Sequence, residues 1–151
     1  MLSNACKYGI RAILYLALKS DKTHKIGAKK IAEELEVPQP FLAQLLRNLV
    51  IDRLVSSTKG PGGGFFLDEG NKENSLWDII CSIDGSHRFD ECFLGLTQCN
   101  DINPCPAHYI VSPFKNKILN DFKDKSISKL VQEVENNGTV ISLKDFDALR
   151  D

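Results

Sequence analysis

Three cysteines and a histidine crowd one short stretch of this 151-residue chain, CFLGLTQCNDINPCPAH over residues 92–108. Six residues separate Cys92 from Cys99, five separate Cys99 from Cys105, and His108 stands three beyond Cys105. Three thiols and an imidazole can supply four ligands to one metal centre, and the loop content between them lets the side chains converge. Zinc accepts a Cys3His set in tetrahedral geometry, usually through a CxxC knuckle, and no CxxC occurs here. Iron-sulphur clusters need soft thiolates but tolerate wider spacing and an occasional histidine. Structural thiols, redox-active thiols and a disulfide are the competing explanations, since unpaired cysteine is often simply buried.

The flanking elements must position these groups. Asn103 and Pro104 read as the cap and first residue of a helix. Cys105 and His108 would then share one face of its opening turn, where the helix dipole favours thiolate. Downstream, Ile110, Phe114, Ile118, Leu119, Phe122, Ile127, Leu130, Val131 and Val134 predict one long helix to residue 136, with a bend or break before Pro113 and Gly138 as its stop. Such a stripe asks for more cover than one small chain provides, so it predicts pairing with a second copy. Residues 139–146 read as a short tail touching the core. Upstream, residues 76–83 form an apolar helix with Ser75 and Asp78 in capping-box spacing. Trp77 belongs to its core face, and Cys81 reads as a buried structural thiol. The loop over residues 87–103 is long enough to need a tether.

The formal charge of -1 conceals a division. Residues 1–64 hold ten Lys or Arg against five Asp or Glu, whereas residues 65–151 hold nine against fifteen. Only the first half has the sign that attracts nucleic acid, although a solvated surface can carry the same charge. Helical spacing over residues 5–18, 27–35 and 41–50 gives a supporting helix and two short helices joined by the turn at Val37 to Pro40. This is a helix-turn-helix outline. Short strands at residues 54–56 and 65–67 flank STKGPGGG, which predicts a glycine-rich hairpin, a wing able to approach DNA closely. The string lacks GxxxxGK[ST] and GxGxxG, so it does not predict nucleotide binding.

The recognition helix is expected to enter a major groove by its N-terminal end. Gln39 and Gln44 can address base edges, Phe41 can pack on a thymine methyl or on sugar, and Arg47 can reach phosphate. Lys29, Lys59, Gly62 and Gly63 complete the expected DNA-facing set, with Lys7, Lys30 and Arg53 as further phosphate candidates. Phe41 serves equally well as a staple in the domain's own core.

Taken together, KYGIRAILYLAL at residues 7–18, FLAQLLRNL at residues 41–49, LVSSTKGPGGGFFL at residues 54–67 and the helix at residues 76–83 resemble the winged-helix regulator family that includes IscR and NsrR. The resemblance spans nearly the whole chain, and the cysteine triplet is similar to that of the subgroup that holds an iron-sulphur cluster. It implies cluster ligands at Cys92, Cys99, Cys105 and His108 and a [2Fe-2S] cluster, as in the IscR-like branch. The NsrR-like branch takes an aspartate from the partner's first helix and holds [4Fe-4S]. Lys7 occupies that position here, with Cys6 beside it as the remaining thiol for an all-thiolate site across a dimer. Three departures stand out: the first cysteine interval is six residues rather than five, Ala43 replaces a base-selecting glutamate, and Lys59 replaces the wing arginine. Lysine fits a narrow minor groove less well, which predicts a different preferred operator.

The expected fold is mainly α with a small β-hairpin: a winged helix-turn-helix domain over residues 1–84, a cysteine-rich ligand loop over 85–105, and a dimerisation helix with tail over 106–151. The expected function is a homodimeric DNA-binding transcriptional regulator acting on double-stranded DNA with a roughly palindromic operator, its affinity set by a cluster that responds to redox state, nitric oxide or cluster supply. Zinc or reactive thiols in the same dimer are the alternative chemistry. An iron-sulphur carrier or enzyme is disfavoured because no acid-base pair, nucleophile triad or substrate motif accompanies the cysteines. The absence of a secretory pattern and of a long apolar run predicts a cytoplasmic protein without membrane contact, where disulfides are disfavoured.

Overall fold

The structure is a computed structural model and describes residues 1–141. Helix α1 spans Asn4–Lys19 and starts where the Ser3 hydroxyl accepts the Cys6 N–H. Its inner face buries Ala12, Ile13, Leu16 and Ala17. Gly9 lets this face approach a later helix, because a Cβ there would stand 2.4 Å from Ile83 Cδ1.

Helices α2 (Ala28–Leu35) and α3 (Gln39–Ile51) complete the predicted three-helix unit. Glu36 ends α2 in a left-handed conformation, which turns the chain sharply into Val37 and Pro38. Helix α3 begins two residues earlier than its apolar spacing predicts, since proline is tolerated in a first turn and Pro40 continues the helix. Ile31, Leu35, Leu42, Leu46 and Leu49 are almost wholly buried in the core beneath these helices. Each such side chain contributes about 1.5–3 kcal/mol through removal from water.

The hairpin is present but shifted. Strands β1 (Ser56–Thr58) and β2 (Gly64–Phe66) pair antiparallel, with Ser57 opposite Phe65. Leu54 and Val55, expected in the first strand, are instead core residues that precede it. Tertiary pairing accounts for the shift: Ile26 exchanges backbone hydrogen bonds with Phe65 at 2.9 and 2.8 Å, fixing β2 against the entry to α2. The turn excludes side chains from within, as a Cβ on Gly63 would lie 2.4 Å from the Thr58 carbonyl oxygen.

A single helical turn, α4 (Glu69–Lys72), follows the wing, where Asp68 and Asn71 form a reciprocal cap. Helix α5 (Leu76–Asp84) follows with the predicted Ser75–Asp78 capping box. Cys81 on this helix is only partly buried, contrary to expectation, because the covered face is that of Ile79 and Ile80. A 3-10 turn (Ser86–Phe89) then leads into the ligand loop.

The predicted long helix is two helices. Helix α6 (His108–Asp124) begins four residues later than expected, so Asn103 and Pro104 are not its cap. Asn100 supplies the reason: its side-chain oxygen accepts the N–H groups of Ile102 and Asn103, holding residues 100–103 in a turn. Helix α6 runs through Pro113 without a break. The break falls at Lys125 and Ser126, where Ser126 caps α7 (Ile127–Asn137) through Lys129 N–H. Backbone bonds from Leu76 N–H to Lys125 O and from Ile127 N–H to Asn74 O pin this junction to the start of α5. Helix α7 folds back on α1 with Ile127 fully buried, so part of the apolar stripe is covered within the chain. Gly138 ends α7 as predicted. Of the predicted tail, Ile141 accepts a hydrogen bond from Arg11 Nε at 2.6 Å, and residues 142–151 lie outside the described residues.

A smaller apolar cluster of Cys6, Ile80 and Phe89 joins α1, α5 and α6. Phe89 packs edge-to-face on Trp77 and Phe122 at 5.4 and 5.9 Å, so Trp77, partly buried, packs against this cluster at its margin.

Candidate metal centre and nucleic-acid interface

Two local devices shape the ligand loop. Glu91 and Gln98 form an antiparallel bridge, and Cys99 N–H bonds to Asp90 O at 2.8 Å, so residues 92–98 form a closed tip. Cys92 and Cys99 therefore both stand at its base. Beyond it, the Asn100 turn returns the chain toward α6, and His108 N–H bonds to Cys105 O at 2.9 Å.

Among the four predicted ligands, Cys99 Sγ lies 3.6 Å from His108 Nδ1, and the Cys105 thiol is close enough to Cys92 to influence its ionisation. Among the described residues no three His, Cys, Asp or Glu side chains gather around one ion-sized point. Backbone N–H groups of Leu94 and Leu96, the Cys105 thiol and the Lys115 ammonium hold the Cys92 thiol below its ordinary range, outweighing the opposing effect of burial. That favours the thiolate a metal requires.

His108 is buried, and its far nitrogen, Nε2, is 2.7 Å from Asp101 Oδ1. Metal-ligating histidines characteristically carry such a carboxylate on the nitrogen that does not bind the metal. Three thiols and an imidazole so supported are donor types that an iron-sulphur group accepts. Sequence reasoning missed Asp101, which stands seven residues before its partner and in no recognisable motif.

Cys6 is not presented to a partner as a ligand. It is fully buried against Ile80 and Phe89, and burial, reinforced by the nearby Asp84 carboxylate, pushes its thiol up to about 12. Both effects oppose the thiolate.

On the basic half, Lys29 is exposed in the first turn of α2, and Gln39, Gln44 and Arg47 are exposed along α3. Lys59 and Gly62 are exposed in the wing turn, with Gly63 partly covered beneath it. Phe41 divides its roles: it is 44% exposed and also packs edge-to-face on Tyr8 at 5.9 Å. Gln44 is already gripped. Its Nε2 donates to Asn48 Oδ1 at 3.1 Å, and its Oε1 accepts from Arg47 at 2.9 Å. Asn48 was overlooked in the sequence, although its four-residue offset from Gln44 is the signal that could have found it.

The model of the Rrf2 family, described as "Iron-dependent Transcriptional regulator", matches residues 2–133. This chain belongs to the Rrf2 family. Among curated relatives of the Rrf2 protein, a putative HTH-type transcriptional regulator of Aquifex aeolicus is 32% identical, covering 87% of this chain and 91% of the relative. IscR of Klebsiella pneumoniae is 26% identical, covering 89% and 81%. Among solved structures, CymR, the global cysteine regulator of B. subtilis, superposes with a TM-score of 0.70 at 19% identity, covering 87% of this chain and 96% of that one. T. potens IscR gives 0.67 at 21% identity, covering 93% and 92%. The resemblance drawn from the motifs is borne out, as is the winged-helix fold it implied. The Rrf2 protein is a DNA-binding transcriptional regulator and not an enzyme. No helix among its described residues is long and apolar enough to cross a membrane.

Proposed function

We propose that this Rrf2 protein is a homodimeric cytoplasmic regulator whose operator affinity depends on a [2Fe-2S] cluster held by Cys92, Cys99, Cys105 and His108. The observation that carries the reading is the 3.6 Å contact of Cys99 Sγ with His108 Nδ1, with Cys92 and Cys105 in the same stretch, which runs directly into α6. When bound, the cluster supplies one-electron redox chemistry. The chain's own contribution is to hold four donors, keep the imidazole out of water and bias Cys92 toward thiolate. Relatives named IscR support the assignment.

Dimerisation follows from the outer face of α6, where Tyr109, Ile110 and Phe114 are exposed beside Phe93 of the loop. A second copy covers such a face by two-fold pairing, which presents two recognition helices to a roughly palindromic double-stranded DNA site. In each half-site Gln39, Phe41 and Gln44 address the major groove, Lys29 and Arg47 meet phosphate, and Lys59 with Gly62 and Gly63 brings the wing close to the backbone. Because the half-sites have fixed spacing, a shift at the start of α6 that misaligns the two helices weakens binding. A thirtyfold change corresponds to about 2 kcal/mol of coupling.

The Cys92 thiol, held below its ordinary range, favours a second reading, in which the same dimer senses oxidants through its thiols directly. Anaerobic purification decides between them. Stoichiometric iron and sulfide with a charge-transfer spectrum, together with a footprint that differs between holo and apo protein, supports the cluster. A colourless protein whose footprint responds only to thiol oxidation supports the alternative.

A further inference from the structure

We infer that Asp101 is the positioning residue for His108: it keeps the ring proton on Nε2 and so leaves Nδ1, the nitrogen beside Cys99, as the donor the chain presents to a metal. The inference deepens the ligand assignment above and rests on it for its function, but its physical content can be measured in metal-free protein.

The geometry is specific about which nitrogen does what. Asp101 Oδ1 lies 2.7 Å from His108 Nε2, and Cys99 Sγ lies 3.6 Å from Nδ1. An ionised carboxylate can only accept, so Nε2 must be the protonated nitrogen whether the ring is neutral or cationic. In the neutral ring Nδ1 then carries the lone pair. The Cys99 thiol can donate to it in the metal-free protein, which makes both contacts consistent with one tautomer. The imidazole itself is 3% exposed with Asp101 in place, so in the folded protein Nε2 makes its bond to Asp101.

Asp101 is held for this task by its neighbours rather than by packing. Its side chain is 90% exposed, yet the backbone on either side is fixed by Asn100, whose oxygen accepts from Ile102 and Asn103 at 3.1 and 2.9 Å. The turn that displaced the start of α6 is thus the turn that aims the carboxylate. An exposed aspartate has no core to support, which separates its orienting role from a structural one.

The test uses full-length protein with nitrogen-15 in its three histidines, His24, His87 and His108. Long-range proton-nitrogen spectra of the reduced, metal-free protein, taken where the ring is neutral, should show His108 as the Nε2–H tautomer. Asp101→Ala should lose that bias while the far-ultraviolet spectrum and melting point stay at wild-type values, and Asp101→Asn, whose side-chain oxygen still accepts, should retain it. After anaerobic reconstitution, Asp101→Ala should hold iron about 10- to 100-fold more weakly against a chelator, with Asp101→Asn closer to wild type. A wild-type Nδ1–H tautomer, or one unchanged in Asp101→Ala, would overturn the inference. Failure of wild-type protein to take up iron and sulfide would instead sink the cluster assignment, and the metal-free spectra would still decide the role of Asp101.

Discussion

Ser3 and Asp84, eighty-one positions apart, are joined by two hydrogen bonds: the Ser3 N–H and its hydroxyl both donate to the Asp84 carboxylate. The same serine caps α1, and Asp84 is the last residue of α5. Arg88 Nε lies 3.7 Å from Asp84, an ion pair without a hydrogen bond, and its other end reaches Glu91 at 4.0 Å, next to Cys92. The start of the DNA-binding half is thereby tied to the base of the ligand loop. Asp84→Ala strands two Ser3 donors and is expected to cost about 2 kcal/mol. Asp84→Asn, which keeps an acceptor, should cost less. Urea denaturation of both variants checks the order, and equal losses would remove the special role of the carboxylate.

Gly64 should be harder to replace than Gly62. Its φ of 148° is one that side chains rarely adopt, and an added Cβ would meet the Ile26 backbone at 2.9 Å. Gly64→Ala is expected to cost about 1–3 kcal/mol and to weaken operator binding by displacing the hairpin. Gly62 also has a positive φ but open space around it, so Gly62→Ala should cost only about 1–2 kcal/mol. Paired melting curves and gel shifts would compare the two.

The buried Cys6 thiol gives stability an alkaline limit. Its folded value of about 12 lies above the ordinary 9.0, so below pH 9 both folded and unfolded chains hold the proton and nothing is lost. Above that the unfolded chain releases it first. Stability should therefore fall by roughly 1 kcal/mol per pH unit from pH 9 toward 12, as the raised thiol value requires. Cys6→Ala should flatten that slope, which denaturation at stepped pH would show. In native alkylation Cys6 should label last among the five cysteines.

Asn48 and Arg47 hold opposite ends of the Gln44 amide, and their loss should be felt differently on DNA. Arg47→Ala is expected to weaken binding to all sequences and to reduce the salt slope by about 1, as loss of a phosphate contact does. Asn48→Ala frees the Gln44 amide to turn over, so discrimination at one base pair should fall by about 1 kcal/mol while non-specific affinity holds. A base-by-base operator scan at fixed salt measures both. Equal effects of the two substitutions would contradict this division.

Ser126 is the cap that divides the C-terminal stripe into two helices. Ser126→Ala should cost about 1 kcal/mol. The loss should appear in thermal melts and as faster amide exchange in α7.

Elements governed by local chemistry were legible in the sequence. The Ser75–Asp78 box, the turn between α2 and α3 and the glycine-rich wing carry their signals within a few residues, and the structure bears them out. Features decided by distant partners were not. The strand positions depend on Ile26 and the break at Ser126 on backbone bonds to Asn74 and Leu76, whereas the onset of α6 was missed for a local reason, the Asn100 turn that displaces the Asn103 cap. The site divides in the same way. Ligand candidates are visible as residue types at a spacing, whereas Asp101 becomes visible only once the loop has folded around His108.

The backbone bridge between Ser75 and Ser126 has one more effect. Every candidate ligand lies between those two serines, so α5, the cysteine-bearing stretch and α6 form an excursion whose two feet stand side by side on the winged-helix body. Loop entropy changes only slowly with length, and a closed excursion can melt or order at its far end without its feet parting. The tip of the ligand loop can therefore open while the junction between α5 and the end of α6 stays closed.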